Sequence, residues 1–305
     1  MRVGAFLLAW LLAAALPALA YETDQYSHRL DTLTDSLPLM DRIVNAALQR
    51  VAADWQGPQD DLLLARRVYF ALGGHYWVDR VEHTATQSER IDRTPADFPQ
   101  SVYAAAGPLE GRVTWLFGVG PSIQLGGTLI GVDKFGHFFS QGFKYYRRYI
   151  FDGRQVSPAL LRQGALVEGG YFGMVTTGVY SNADIVANYE GLRFYRNLLE
   201  DVDGRGALFA WRDGRPALQR AFSWQNYVND FWDEALNGSS LTPGMERIVR
   251  ERLAALCERY RGAPMSRLRA RNREGLVRRY AEIGMRPASI PEIGAVCEGG
   301  SGGGR

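Results

Sequence analysis

The chain is expected to fold as a mainly α protein, a packed multi-helix domain followed by a helical C-terminal segment. Three observations predict this. Apolar residues recur at helical spacing, as in Met40, Ile43, Val44, Ala47, Leu48 and Val51. Such segments open on helix-starting residues, among them Ser157-Pro158, Ser181 and Thr242-Pro243. The composition is that of a globular chain, 46% hydrophobic and 22% charged, long enough for one large domain or a domain with an appendage.

Residues 1–20 read as a secretory signal peptide. Arg2 supplies the positive start, Ala5 to Leu16 the apolar run, and Ala18-Leu19-Ala20 the small-x-small end. The run is short for a membrane span, and a retained N-terminal anchor is the alternative. No cysteine follows the site, which excludes lipoprotein processing. The mature chain is expected to start near Tyr21 and to work in the periplasm or beyond. Losing Arg2 takes the formal charge from +2 to about +1, which gives no electrostatic case for nucleic acid.

The helical domain is expected over 21–204, the C-terminal segment over 205–298 and a flexible glycine-rich tail over 299–305. Helices are predicted over 36–56 and 59–82, the second carrying His75 and followed by His83, both read as structural or surface histidines. Residues 84–111 read as a long loop. Residues 113–132 are apolar, dotted with glycine and interrupted by Pro121, and read as buried loops or short strands. Further helices are predicted from Ser157 to Tyr180, from Ser181 to about Leu199, from Ser223 to Leu236 and from Thr242 to Tyr260, with a connection over 200–217. Cys257 and Cys297 are the only cysteines. In an oxidising compartment they most simply form one disulfide, worth ~3–4 kcal/mol across a loop of ~40 residues; two free thiols are the alternative.

The stretch from Gly131 to Lys144 carries the most chemistry. At ~100° per residue, Asp133, His137, Ser140 and Lys144 share a narrow polar stripe, while Phe135, Phe138, Phe139, Gly142 and Tyr146 form an apolar face. Of the 35 cationic side chains only Lys134 and Lys144 are lysine, and both fall here. A carboxylate and an imidazole one turn apart can share a proton or a metal. Asp133 as a plain helix cap is the competing reading. In the predicted helix after Ser157, Glu168 is the lone charge between Gly164 and Tyr180, among five glycines that imply a closely packed backbone. Asp184 and Asn188 form a polar stripe on the next helix, where Ser181 and Asp184 also resemble a capping box. Converged, these patches would make a buried cluster that is costly without a compensating role.

The order Asp133-Lys134-x-x-His137, then Glu168, then Asp184-x-x-Ala187-Asn188-x-x-Gly191 resembles the signature of VanZ-like proteins and of YfiM-type periplasmic proteins. The resemblance covers roughly residues 130–195 and implies an envelope location. The chain differs in having Ser181-Asn182 where VanZ-like proteins tend to carry an arginine, and amphipathic rather than membrane-spanning helices.

The leading expectation is a cell-envelope hydrolase acting on a lipid, phosphoester or glycan. In it Asp133, His137, Glu168 and Asp184 would run acid–base chemistry or bind a divalent metal, with His137 as ligand or general base. Lys134, Asn188 and Lys144 would contact substrate. The rival is a non-catalytic envelope protein whose polar cluster fixes helix packing. A third reading uses the arginine-dense stretch over 265–286 as a contact for anionic lipid headgroups, against its plainer reading as a solvated helix face.

Overall fold

The structure, a computed structural model, describes residues 22–74, 79–170 and 173–299. The fold is helix-rich, and among the described residues it also contains four two-stranded sheets. β1 (Glu22–Thr23) runs parallel to β2 (Val119–Gly120). α1 (Leu37–Ala53) buries Met40, Val44, Ala47, Leu48 and Val51, the face read from the spacing. α2 (Asp61–Leu72) is capped by Asp60, whose carboxylate accepts from the Leu63 N–H. The helix predicted over 59–82 is divided, because Gly73 ends α2 and Gly74 turns left-handed at φ +60°. α3 (Arg80–Gln87) then runs into the stretch expected to be loop. His83 is exposed, while His75 lies outside the described residues.

The apolar stretch over 113–132, read as buried loops or short strands, becomes most of α4 (Arg112–Phe117), then β2 and a hairpin of β3 (Ser122–Leu125) with β4 (Thr128–Gly131). Gly126-Gly127 supply the two positive φ angles, +61° and +81°, that a tight hairpin turn requires. β4 feeds the central helix α5, built from Lys134–Gly136, a π turn at His137–Gln141 and Gly142–Phe151. The helix expected from Ser157 to Tyr180 is a correction. It appears as α6 (Pro158–Leu161) and α7 (Gln163–Glu168), after which the chain folds back and enters β5 (Val179–Tyr180). A Cβ on Gly173 would lie 1.9 Å from the Glu168 carbonyl oxygen, so glycine permits the reversal here instead of a helix contact.

α8 (Asn182–Asn197) packs against α5 more extensively than any other pair of elements. Gly142 and Gly191 meet at the crossing, where a Cβ on Gly191 would stand 2.1 Å from the Phe138 carbonyl oxygen. The 200–217 connection contains the hairpin of β6 (Phe209–Arg212) and β7 (Arg215–Leu218), turned at Asp213-Gly214. The aromatic helix expected over 223–236 is two short 3-10 turns, Trp224–Asn226 and Asp230–Trp232. β8 (Ser240–Leu241) pairs with β5. α9 (Pro243–Arg259), α10 (Met265–Leu268), α11 (Arg273–Arg279) and α12 (Ile293–Gly299) follow among the described residues.

Two cores result. The larger places Phe135, Phe138 and Phe139 of α5 against Phe194, Trp224 and Trp232, with ring centroids of Phe138 and Trp224 4.9 Å apart. The smaller joins Tyr26, Val102 and Tyr103 to Leu253, Tyr260 and Ile293. Each core draws on both sides of residue 204. Cys257 and Cys297 are bonded, tying α9 to α12. Among the described residues no helix is long and apolar enough to cross a membrane.

Candidate functional site

The site is organised around the buried ammonium of Lys134. Its side chain is 0% exposed, and Nζ stands 2.6 Å from Asp133 Oδ2, 2.7 Å from Asp184 Oδ1 and 2.8 Å from Glu234 Oε1. Burial works against the charge, but the three carboxylates overcome it and hold the Lys134 pKa well above its ordinary value. Local structure puts these groups together. Gly131 lets β4 pass so close to β1 that a Cβ there would strike Thr23 Oγ1 and Asp133 Oδ1, and the Thr23 hydroxyl donates to Asp133 at 3.1 Å. Asp133 makes no capping bond to its helix, so the competing reading of it as a cap does not hold. Ser181 caps α8 by accepting from the Asp184 N–H, and its hydroxyl donates to Glu234 at 2.9 Å.

His137 lies one turn beyond Asp133. Its Nδ1 is 3.1 Å from Asn188 Oδ1 and its Nε2 is 3.2 Å from Asp184 Oδ2. Both neighbours are acceptors, so the ring is satisfied by carrying both protons. Burial opposes that charge, while Asp184, then Glu168 and Asp133, hold the pKa up at about 10. Burial likewise pushes the Asp184 carboxyl up, but the two cations beside it win and leave it below its ordinary value. The expected role of His137 as a general base does not fit an imidazole that is already protonated.

Glu168 closes the outer side. Its carboxylate oxygen is 4.0 Å from His137 Nδ1, and the side chain is 6% exposed. Among the described residues no group donates a hydrogen bond to it. Burial, reinforced by Asp184, raises its pKa to about 8, against the opposing charges of His137 and Lys134. At neutral pH this carboxyl is mostly protonated, next to an imidazolium.

The structure thus brings together Asp133, Lys134, His137, Glu168, Asp184 and Asn188, the residues read from three separate helices. Lys134, expected at substrate, is too deeply buried to reach one. Lys144 does not join the cluster: it is exposed on α5, its pKa lowered by partial burial and opposed by Asp79. Ser140 leaves the predicted stripe because the π turn rotates it toward Asp79, to whose two oxygens it donates at 2.8 and 2.9 Å. The arginines over 267–279 are largely paired, Arg271 with Asp230, Arg273 with Glu292 and Arg279 with Glu190 among them.

Sequence reading missed Glu234 and Glu22. Glu234 supplies the third carboxylate to Lys134; burial, with Asp184 and Asp133, carries its pKa up to about 7 against the pull of Lys134. Its signal was the pair Asp233-Glu234 within an otherwise aromatic run. Glu22 is buried beside the cluster, and burial together with Glu234 and Asp184 raises its pKa well above the carboxylate range.

A divalent ion is a natural candidate for such a constellation, since Asp133, His137 and Asp184 each offer a ligand atom within 4.8 Å of the others. Bonds of ~2.0–2.2 Å would be needed, but the Lys134 ammonium already holds both aspartates. A dication would stand against that ammonium. The residues therefore do not fit a metal while Lys134 stays in place.

Compared with protein-family models, curated proteins and solved structures, the chain returns no match.

Proposed function

We propose that the chain is an exported cell-envelope hydrolase that cleaves a lipid, phosphoester or glycan by acid–base chemistry without a metal. The observation that carries this reading is Glu168, a nearly buried carboxyl without a hydrogen-bond donor among the described residues, held 4.0 Å from a charged imidazole. Such a carboxyl is open to completion by a substrate atom or water. In the proposed reaction the neutral Glu168 carboxyl gives its proton to the leaving oxygen as the scissile bond breaks. A water adds to the other fragment, and its proton returns to the Glu168 carboxylate. His137, kept charged by Asp184 and oriented by Asn188, stabilises negative charge developing on the substrate. The multi-helix domain, with its helical C-terminal segment, is the scaffold for this site.

A second reading is favoured by one observation. Lys134, with no exposure at all, ties α5, α8 and the Glu234 segment together, and Asp133 beside it accepts from Thr23 of β1, as a device for fixing helix packing would. The two readings divide the cluster into an inner structural part and an outer chemical part. They are tested by assaying the purified full chain on nitrophenyl esters, phosphodiesters and glycosides. The hydrolase reading expects turnover of one class, lost in Glu168→Gln with the melting temperature at neutral pH not lowered. Absence of turnover across all classes, or equal turnover in Glu168→Gln, would leave only the packing role.

A further inference from the structure

We propose that the face formed by α4, the exposed side of α7 and residues 173–178 seats the protein on an anionic lipid bilayer, with Glu168 at the edge of that face. The choice of a membrane-borne substrate rests on the hydrolase reading above; the docking itself does not.

Five large apolar side chains stand out on this side of the molecule. Leu109 is 93% exposed, Trp115 49%, Leu116 52%, Leu166 78% and Val175 66%. Backbone contacts place their segments side by side. A Cβ on Gly111 would lie 2.6 Å from the Thr177 carbonyl oxygen, and one on Gly178 would lie 2.2 Å from that of Glu110. The Met174 N–H bonds to the Glu168 carbonyl, which returns Val175 to the neighbourhood of α7. Other exposed large apolar residues, such as Phe70, Phe151, Met265 and Val277, occur one to an element. A concentration of this kind marks an interaction surface.

Charge identifies the occupant. Arg112 in α4, Arg162 before α7 and Arg286 are exposed, and none has an ion-pair partner among the described residues. Arg286 lies on this face, with Nη1 3.0 Å from Met174 Sδ and its guanidinium 4.1 Å from the Tyr180 ring centre. The arginine-dense stretch that the sequence offered for lipid contact is instead largely neutralised by its own carboxylates. Exposed tryptophan and leucine beside unpaired arginines match the interfacial zone of a membrane, where apolar side chains enter the acyl boundary and cations meet lipid phosphates. A second copy of the chain would present the same unpaired arginines and be repelled.

The test is co-sedimentation of the full chain with vesicles of phosphatidylcholine, alone or mixed with phosphatidylglycerol. The expected result is binding to the mixed vesicles with a blue shift in tryptophan emission. Trp115→Ser/Leu116→Ser should weaken it about tenfold or more through the lost apolar burial. Arg286→Gln should weaken it about fivefold, on mixed vesicles only. Phe151→Ser, at a still more exposed apolar residue on another element, should change nothing. Failure to bind mixed vesicles, binding unaffected by Trp115→Ser/Leu116→Ser, or a concentration-dependent dimer abolished by that double variant would each overturn the proposal. Vesicle binding is read without turnover. A chain that cleaves soluble substrates but ignores vesicles therefore overturns the docking alone, and one that binds vesicles but cleaves nothing overturns the hydrolase reading alone.

Discussion

Replacing Lys134 with methionine removes one charge from the interior and almost no volume. The side chain it replaces is wholly buried, and its ammonium is the cation that Asp133, Asp184 and Glu234 share within 2.8 Å. Among the described residues His137 then remains as the nearby cation, bonded to Asp184 alone among those three carboxylates. Removing one member of a buried ion cluster while leaving its partners typically costs ~3–5 kcal/mol, roughly 10 °C in melting temperature at ~2–4 °C per kcal/mol for a chain of this size. The signature is its pH dependence. Carboxylates deprived of the ammonium take up protons more readily, so the deficit of Lys134→Met should be largest above neutrality and shrink as pH falls. Urea denaturation at about pH 8 and about pH 5 reads this directly. A second substitution, Glu234→Gln, should restore part of the loss by removing an unpaired charge. A Lys134→Met cost below about 1 kcal/mol, equal at both pH values, would refute the reasoning, because it would mean that the carboxylates do not depend on the ammonium.

Other outcomes follow from the same geometry. Gly191→Ala places a methyl group 2.1 Å from the Phe138 carbonyl oxygen and should destabilise the α5–α8 crossing by about 2 kcal/mol or more, read by thermal melting. Elemental analysis of the purified chain after incubation with zinc or magnesium should find no stoichiometric metal in the wild type. Stability should decline as pH rises. His137 ordinarily titrates at 6.5 and is held at about 10. Between those values the folded chain keeps a proton the unfolded chain has lost, so its contribution is complete below 6.5 and gone above 10. Glu168, raised from 4.5 to about 8, gives the same sign from 4.5 upward; a melting temperature that increased from about pH 6 to about pH 9 would contradict both assignments.

Periodicity made the long amphipathic helices legible: α1, α8 and α9 stand close to where apolar spacing and start residues put them. Shorter elements were less visible. The β6–β7 hairpin hides in what read as a connection, although Asp213-Gly214 is a strong hairpin signal. The glycines after Glu168 suggested a tightly packed helix but mark a chain reversal, a distinction set by which backbone approaches. For the site, Asp133, His137, Glu168, Asp184 and Asn188 could be drawn together because each was a polar exception on an apolar background. Glu234 could not be matched to Lys134, one hundred residues earlier, since no local pattern encodes a long-range ion pair. Nor could Lys134 be separated from Lys144 as the buried lysine, because the π turn that changes the facing of the later residues leaves no mark in the spacing.

The central claim is that Glu168 holds a transferable proton beside a His137 that is charged at neutral pH. It is tested most directly by following the Glu168 carboxyl carbon and the His137 ring nitrogens by NMR across pH in the full chain, with Glu168→Gln and His137→Gln for assignment. The account predicts that Glu168 titrates near 8 and that His137 keeps both ring protons until pH approaches about 10. Titration of Glu168 near 4.5 together with His137 near 6.5, their ordinary values, would contradict it.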